Sequence, residues 1–306
     1  EGTSIARKNN IDAVISIGGG SVIDIAKLIL AFIEPNQNQQ NIVLGIDKPI
    51  DPKIPHISIP TTAGTGSEST HFAVVYLNKI KYSVSSNFLT PKIAILDGEL
   101  IKSNSPTQKA YNGLDALAQA IESHWATGSN EESRSYSREA IPILYSNLPR
   151  IVDGSADMKA YQNFIFAANL AGKAINISKT TAPHAFSYSF TSKYGIPHGH
   201  AVWLTLPKIF EIHNNTKDEN NLNLNSYQTF RNSISEIMSL LGIKENRVLI
   251  ELKKLLDNVG LEFSMEKLGA SSKSARREIA NDVNLERLRN NPVSLSKTDI
   301  EAIFNL

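Results

Sequence analysis

The sequence predicts an α/β N-terminal half built on a parallel sheet, followed by an all-helical C-terminal half. Three observations predict it. Residues 11 to 17 (I-D-A-V-I-S-I) are apolar and β-branched, end in Gly18-Gly19-Gly20, and are followed by an apolar-periodic helix from Ser21 to about Phe32. That order of strand, glycine turn and helix opens a parallel α/β unit. A second strand, His56 to Ile59, runs into the small-residue loop P-T-T-A-G-T-G-S-E. From about Pro106 strand-like runs nearly vanish and segments of 3.6-residue period take over.

The remaining elements follow in order. The opening residues, G-T-S-I-A-R-K-N-N, read as the end of a helix and a turn. His71 to Leu77 and Lys92 to Leu96 read as further strands. Helical periodicity spans 107–125, 131–147, 157–176, 200–213, 226–241, 245–257 and 297–305. The asparagine-rich stretch from Asn214 to Asn225 reads as a surface loop. The turn from Asp97 to Pro106 divides the chain into an α/β domain, 1–104, and a helical domain, 105–306, and a cleft between such halves is a common place for a ligand.

Composition narrows the function. With 306 residues, of which 41% are hydrophobic, the chain can build a sizeable core. The net charge of +1 and the lack of a basic stripe with interleaved aromatics argue against nucleic acid as a partner. No apolar run is long enough for a membrane span, and no signal peptide is evident. The chain has no cysteine, which fits a reducing cytoplasm and restricts any metal to nitrogen and oxygen ligands.

Four segments carry chemistry. In Gly18 to Lys27 (G-G-G-S-V-I-D-I-A-K), Gly19, Gly20 and Ser21 can present backbone N–H groups and a helix N-terminus to a pyrophosphate. A plainer reading makes Ser21 an N-cap and Asp24 its capping-box partner. In Ile59 to Glu68, Thr61, Thr62 and Thr65 can hydrogen-bond ribose, phosphate or carboxamide groups, or belong to an ordinary flexible loop. In Gly113 to Ser123 (G-L-D-A-L-A-Q-A-I-E-S), Asp115 and Gln119 share one helix face, either as ligands or with Asp115 stabilised at a helix N-terminus. Ile177 to Ala201 holds three of the seven histidines, His184, His198 and His200. Imidazole binds divalent metals and titrates near neutral pH, although a single histidine is more often structural.

Taken together, G-G-G-S-x-x-D-x-x-K, I-P-T-T-A-G-T-G-S-E, G-x-D-A-L-x-x-A-x-E and His…P-H-G resemble the iron-containing, or group III, alcohol dehydrogenases. A narrower likeness, carried by T-T-A-P-H-A-F-S-Y, G-I-P-H-G-H-A-V and V-N-L-E-R-L-R-N-N-P-V-S-L-S, is to the phosphonoacetaldehyde reductases. The resemblance implies a dehydroquinate-synthase-like fold, NAD or NADP as cofactor, a divalent metal (Fe²⁺ or Zn²⁺), a small aldehyde or alcohol substrate and a homodimer. It places metal ligands at Asp115, His184 and His198, with Gln119 where the family has histidine. A further family histidine is replaced by Tyr188, so Tyr188 and His200 become the candidate proton carriers. Asp24 and Lys27 would shape the floor of the nucleotide pocket, with Asp24 among the cofactor-binding positions. The resemblance also implies a first βαβ portion ahead of the glycine turn, so the sheet is expected to be incomplete at its start.

The leading expectation is a metal-dependent, NAD(P)-linked alcohol dehydrogenase or aldehyde reductase, with phosphonoacetaldehyde going to 2-hydroxyethylphosphonate. Lys193, His71 and Lys179 are candidate partners for the phosphonate. The alternatives are a metal-free enzyme like maleylacetate reductase, a non-redox lyase like dehydroquinate synthase, and an inactive truncated remnant.

Overall fold

The computed structural model describes residues 1–77, 80–217, 219–223, 226–283 and 285–306. Helix α1 (Gly2–Asn9) ends at Asn10, which adopts the left-handed conformation with φ 46°. Strand β1 (Val14–Gly18) turns through Gly19 into α2 (Gly20–Phe32). The short α3 (Gln39–Val43) leads to β2 (His56–Pro60). Strands β3 (Phe72–Leu77) and β4 (Ile80–Ser85) form an antiparallel pair, and β5 (Ile93–Ala94) closes the α/β half.

The parallel sheet has the order β1-β2-β5, with Val14 opposite His56 and Gly18 opposite Pro60. Its buried face is polar: Ser16 hydrogen-bonds His56 at 2.7 Å, and Ser58 is buried beside them. On the other face Ile15 and Ile17 are each 61% exposed. Parallel sheets are ordinarily covered on both faces; among the described residues this one is covered on one. The strand expected at His71 to Leu77 exists, but it pairs with β4 in a separate two-stranded sheet. Its anchor is Lys27, fully buried, whose ammonium donates to Thr70 O (2.8 Å), Thr70 Oγ1 (3.0 Å) and Phe72 O (2.9 Å).

The helical half begins with α4 (Glu99–Lys102) and α5 (Pro106–Trp125). Ser105 and Gln108 form a capping box at the start of α5, with Pro106 in the first turn, where its missing N–H costs nothing. Helices α6 (Glu131–Asp153) and α7 (Met158–Ser178) pack on α5 around Leu114, Leu117, Ile121, Ile141, Leu144, Leu148 and Phe164. Each such side chain contributes roughly 1.5–3 kcal/mol by leaving water. Helix α6 outlasts its expected end at 147, runs through Pro142 and Pro149, and stops at Gly154 with φ 80°.

Helix α8 (Ala182–Tyr194) was not expected from periodicity. The expected single helix over 200–213 is two, α9 (His198–Trp203) and α10 (Leu206–Asn215). Helices α11 (Tyr227–Leu241), α12 (Val248–Asn258), α13 (Lys273–Asn281), α14 (Leu285–Arg289) and α15 (Lys297–Phe304) complete the described chain. A second core of Phe186, Phe190, Leu204, Ile209 and Phe304 joins α8 to α10 and α15. In the polar stretch Asn214 to Asn225, Leu222 bridges Val293, while residues 218, 224 and 225 lie outside the described residues. No described helix is long and apolar enough to cross a membrane.

Candidate functional site

Two loops meet at the carboxyl ends of β1 and β2, where open α/β sheets bind ligands. Thr61 N donates to Gly18 O at 3.0 Å, which holds the second loop against the first. A Cβ on Gly19 would stand 3.3 Å from the Thr62 side chain, and one on Gly20 2.5 Å from Thr65 Oγ1. The glycines are therefore needed for close approach. Gly19 is the N-cap of α2 and no side chain caps that helix. Ser21, exposed, is not the N-cap, and Asp24 does not complete a capping box. Instead Asp24 Oδ2 accepts from Val74 N at 2.9 Å and its carboxylate lies 4.0 Å from Lys27. Asp24 thus ties α2 to the hairpin and also reaches Ser67 at the end of the second loop. The reason is tertiary: the hairpin supplies a buried donor that Asp24 satisfies.

On the helical side, α5 presents Asp115, Gln119 and Glu122 along one stripe. All three are buried, at 4%, 4% and 0% exposure. His184, from the first turn of α8, approaches Asp115 Oδ1 with Nε2 at 3.3 Å and Glu122 Oε1 with Nδ1 at 2.5 Å. His198, at the start of α9, places Nε2 4.0 Å from Asp115 Oδ1 and Nδ1 3.4 Å from Ser187 Oγ. The ligand atoms of Asp115, His184 and His198 all lie within 4.8 Å of one another. Gly199 makes this possible. A Cβ there would run into the Tyr111 carbonyl and come 3.0 Å from Asp115 Cβ, so only glycine lets α9 sit this close to α5.

The electrostatics suit a cation. Burial opposes the Asp115 charge, but the His184 hydrogen bond and the neighbouring imidazoles outweigh it and hold the carboxyl below its usual range. Burial pushes His198 down to about 3, so it is neutral, as a metal ligand must be. Burial also opposes charge on His184, yet Glu122 and Asp115 prevail and lift it to about 9. The pocket thus holds one positive charge on His184 that a divalent ion would supply instead. The carboxyl of Glu122 also accepts from Thr181 N (2.7 Å) and Thr181 Oγ1 (2.9 Å), and so fixes His184 from behind. Gln119 Nε2 donates to Thr65 O at 3.4 Å, while its Oε1 is buried without a hydrogen-bond partner. An orphaned carbonyl oxygen one turn from Asp115 is a group that a cation satisfies. One carboxylate, two imidazoles and this amide oxygen fit a divalent ion of the Fe²⁺ or Zn²⁺ type.

Helix geometry sorts the other candidates, at about 100° per residue. Tyr188, four residues after His184, lies on the same side of α8 and stacks on His198 with centroids 6.0 Å apart and planes 2° apart. Its phenol pKa is raised, chiefly by burial, while Arg287 donates to it. His200, two residues after His198, turns away. Its Nε2 hydrogen-bonds Glu262 O at 2.6 Å and its ring stacks on Tyr111, so it is not part of the group around Asp115. Lys193, nine residues after His184, is on the opposite face of α8 and pairs with Glu278 (2.8 Å) and Asp282 (3.2 Å). His71 and Lys179 lie together, at 3.5 Å, beside Phe72.

Three residues at the site were missed by sequence reasoning. Glu122 stands in a quoted motif, and its i, i+7 spacing from Asp115 was the available signal. Lys81, on β4, carries its ammonium 4.1 Å above the Tyr188 ring, and Arg287, on α14, reaches the same phenol. Arg287 stands in the quoted V-N-L-E-R-L-R-N-N-P-V-S-L-S segment, whereas no local signal marks Lys81.

Comparison with known proteins agrees with this geometry. Residues 1–98 match the family model "Iron-containing alcohol dehydrogenase", and residues 109–306 match "Fe-containing alcohol dehydrogenase family, C-terminal". Alcohol dehydrogenase 4 of Schizosaccharomyces pombe is 35% identical over 201 residues, 65% of this chain and 47% of that protein. The NAD-dependent methanol dehydrogenase of Bacillus methanolicus is 32% identical over 211 residues, 68% of this chain and 55% of its own length. The chain thus spans about half the length of these curated relatives. A sulfoacetaldehyde reductase from Bifidobacterium kashiwanohense, solved with NAD⁺, superposes with a TM-score of 0.87 at 27% identity, covering 99% of this chain and 78% of that one.

Proposed function

We propose that this chain, which belongs to the iron-containing alcohol dehydrogenase family, interconverts an aldehyde and a primary alcohol at a divalent metal with NAD or NADP. The observation that carries the reading is the convergence of Asp115, His184 and His198, with the orphaned Gln119 Oε1 one helical turn from Asp115. When bound, the metal supplies Lewis acidity to the substrate oxygen and the nicotinamide supplies or accepts hydride. The chain does the rest. Asp115, His184 and His198 hold the ion, and Glu122 keeps the His184 Nδ1 proton so that Nε2 faces the site. Gly19, Gly20 and Ser21 offer backbone N–H groups to the pyrophosphate, and Thr61, Thr62 and Thr65 offer hydroxyls to ribose and nicotinamide. Tyr188 keeps its Oη proton near neutral pH and can pass it to the substrate side of His198. On this reading residues 1–104 hold the nucleotide and 105–306 the metal, in a cytoplasmic homodimer.

The substrate we favour is phosphonoacetaldehyde, reduced to 2-hydroxyethylphosphonate. Support comes from the sequence likeness around His184, His198 and Asn291, and from the sulfoacetaldehyde reductase, whose named substrate is also a two-carbon aldehyde with an anionic head. Gln119 in place of histidine favours a second reading, the same fold working without metal. Elemental analysis before and after chelation, with NADPH consumption followed in parallel, separates the two. Bound ion and activity lost on chelation and restored by Fe²⁺ or Zn²⁺ support the first. Full activity in metal-free protein overturns it.

A further inference from the structure

We propose that Gln119 is a positioning residue for the dinucleotide: from the helix that carries Asp115, it holds the loop that carries Thr61, Thr62 and Thr65. The inference rests on the nucleotide reading above and adds to that site a residue from the helical half. Gln119 is buried on α5, one turn after Asp115. Its Nε2 donates to Thr65 O at 3.4 Å, and among the described residues no backbone N–H reaches that carbonyl. The acceptor fixes which end of the amide faces the loop, because an oxygen turned that way would meet the Thr65 oxygen. A buried amide costs free energy unless its polar atoms find partners. Here the donor end is committed to a loop of the other half.

Two features give this contact a bearing on the nucleotide. First, Thr65 touches both parts of the site. Its carbonyl is held by Gln119, while its hydroxyl lies against the glycine turn, where a Cβ on Gly20 would stand 2.5 Å from Thr65 Oγ1. Thr65 itself is exposed, so it is held from behind and reachable from the front. Second, the loop is seated without slack. A Cβ on Gly64 would come 2.9 Å from Asn112 Cα on α5, and one on Gly66 2.4 Å from Gly172 Cα on α7. Glycine on each side of Thr65 lets the loop lie flush on both helices, and Gly66 takes the left-handed conformation, with φ 65°. To find another donor, the Thr65 peptide must rotate. With tight contacts on both sides, that rotation passes to the hydroxyl on the glycine turn.

The test reads nucleotide binding without turnover. Metal-free protein is titrated with NADH and with NADPH by nicotinamide fluorescence, and Zn²⁺ affinity is measured separately against a chelator. One neutral hydrogen bond carries roughly two- to tenfold in an equilibrium. Gln119→Met keeps the length and removes the donor, and is expected to weaken the nucleotide by that factor. Gln119→Asn keeps the amide but withdraws it from Thr65, and should lose as much. Equal losses from an apolar and a polar replacement separate reach to Thr65 from general packing. Gly172→Ala sets a Cβ 2.7 Å from Gly66 Cα and so disturbs the same loop from α7. It should weaken the nucleotide too, and under saturating metal raise KM for the nucleotide without lowering kcat. Gln119→Met combined with Gly172→Ala should cost less than the two losses multiplied, because a displaced loop leaves Gln119 nothing to hold. Melting midpoints confirm folding, and if Gln119→Met unfolds, Gln119→Asn and Gly172→Ala carry the comparison. If both Gln119 variants bind nucleotide like the parent and lose only Zn²⁺ affinity, the residue is an ion ligand alone; the inference is overturned and the reading of function stands. If no aldehyde is reduced yet nucleotide binding falls in both, the function fails and the inference stands.

Discussion

Replacing Glu122 by glutamine tests whether a residue that touches no substrate governs the metal centre. The carboxylate is fully buried and accepts from Thr181 N, Thr181 Oγ1 and His184 Nδ1. Glutamine has nearly the same shape but only one acceptor oxygen. The Thr181 pair would take that oxygen, leaving the amide N–H group facing His184. Two donors cannot face each other, so His184 must turn its Nδ1 lone pair to the amide and carry its proton on Nε2. That nitrogen then no longer ligates. Outer-shell partners of this kind are worth about 10–100-fold in metal affinity, or roughly 1.4–2.7 kcal/mol. Competition of Zn²⁺ or Co²⁺ between protein and a chelator measures it, with the melting midpoint as a check on folding. A folded Glu122→Gln protein that binds metal within threefold of the parent would refute the tautomer argument. Glu122→Asp, which keeps the charge and shortens the arm, should fall between the two.

Three further outcomes follow from the geometry. Gly199→Ala must part α9 from α5 at the Tyr111 carbonyl; we expect a stability loss of about 1–3 kcal/mol together with weaker metal binding, and parent-like melting and titration curves would contradict it. Lys27→Met removes the donor for the Thr70 and Phe72 carbonyls; about 1–3 kcal/mol is at stake for each buried acceptor, read from the urea midpoint, and a change under roughly 0.5 kcal/mol would sink the claim that Lys27 anchors the hairpin. Burial lowers His56, His124 and His213 to about 4, 4 and 3. These folded values lie below the ordinary unfolded value, so the folded form binds fewer protons there. Stability should be complete above about pH 6.5 and drain as pH falls toward 4, by about 1.4 kcal/mol per histidine per pH unit. Urea midpoints that stay flat from pH 7.5 to 5.0 would refute this.

Much of the architecture was legible because its signals are local. A β-branched run, three glycines and an apolar helix announce β1 and α2, and Asp115, His184 and His198 stand in recognisable sequence contexts. Helix α8 was not legible for a physical reason. Phe186 and Phe190 are buried on one side and His184, Ser187 and Ser189 on others, so no apolar stripe exists for periodicity to detect. Strand β3 was read, but its separation from the parallel sheet depends on Lys27 and Asp24 tying it to α2, which are contacts across some fifty positions. Lys193 and His200 were chosen for nearness in sequence, and a helix places them half a turn or more away from their neighbours. Lys81 has no local context at all. Its meaning comes from Tyr188, a residue more than a hundred positions later.

The contact of Gly199 with Tyr111 has a bearing on how such a protein can diversify. Where α9 crosses α5 there is room for no side chain, so the position of His198 is locked to the helical core and inherited with it. The hairpin that carries Lys81 is restrained elsewhere, by the hold of Lys27 and Asp24 on β3 and by buried Ala73 and Val84, while Lys81 itself is exposed and open to exchange. Exchange at exposed hairpin positions can therefore proceed while His198 stays where it is. The locked crossing and the exposed hairpin positions lie on separate parts of the chain, and mutation can reach one without passing through the other.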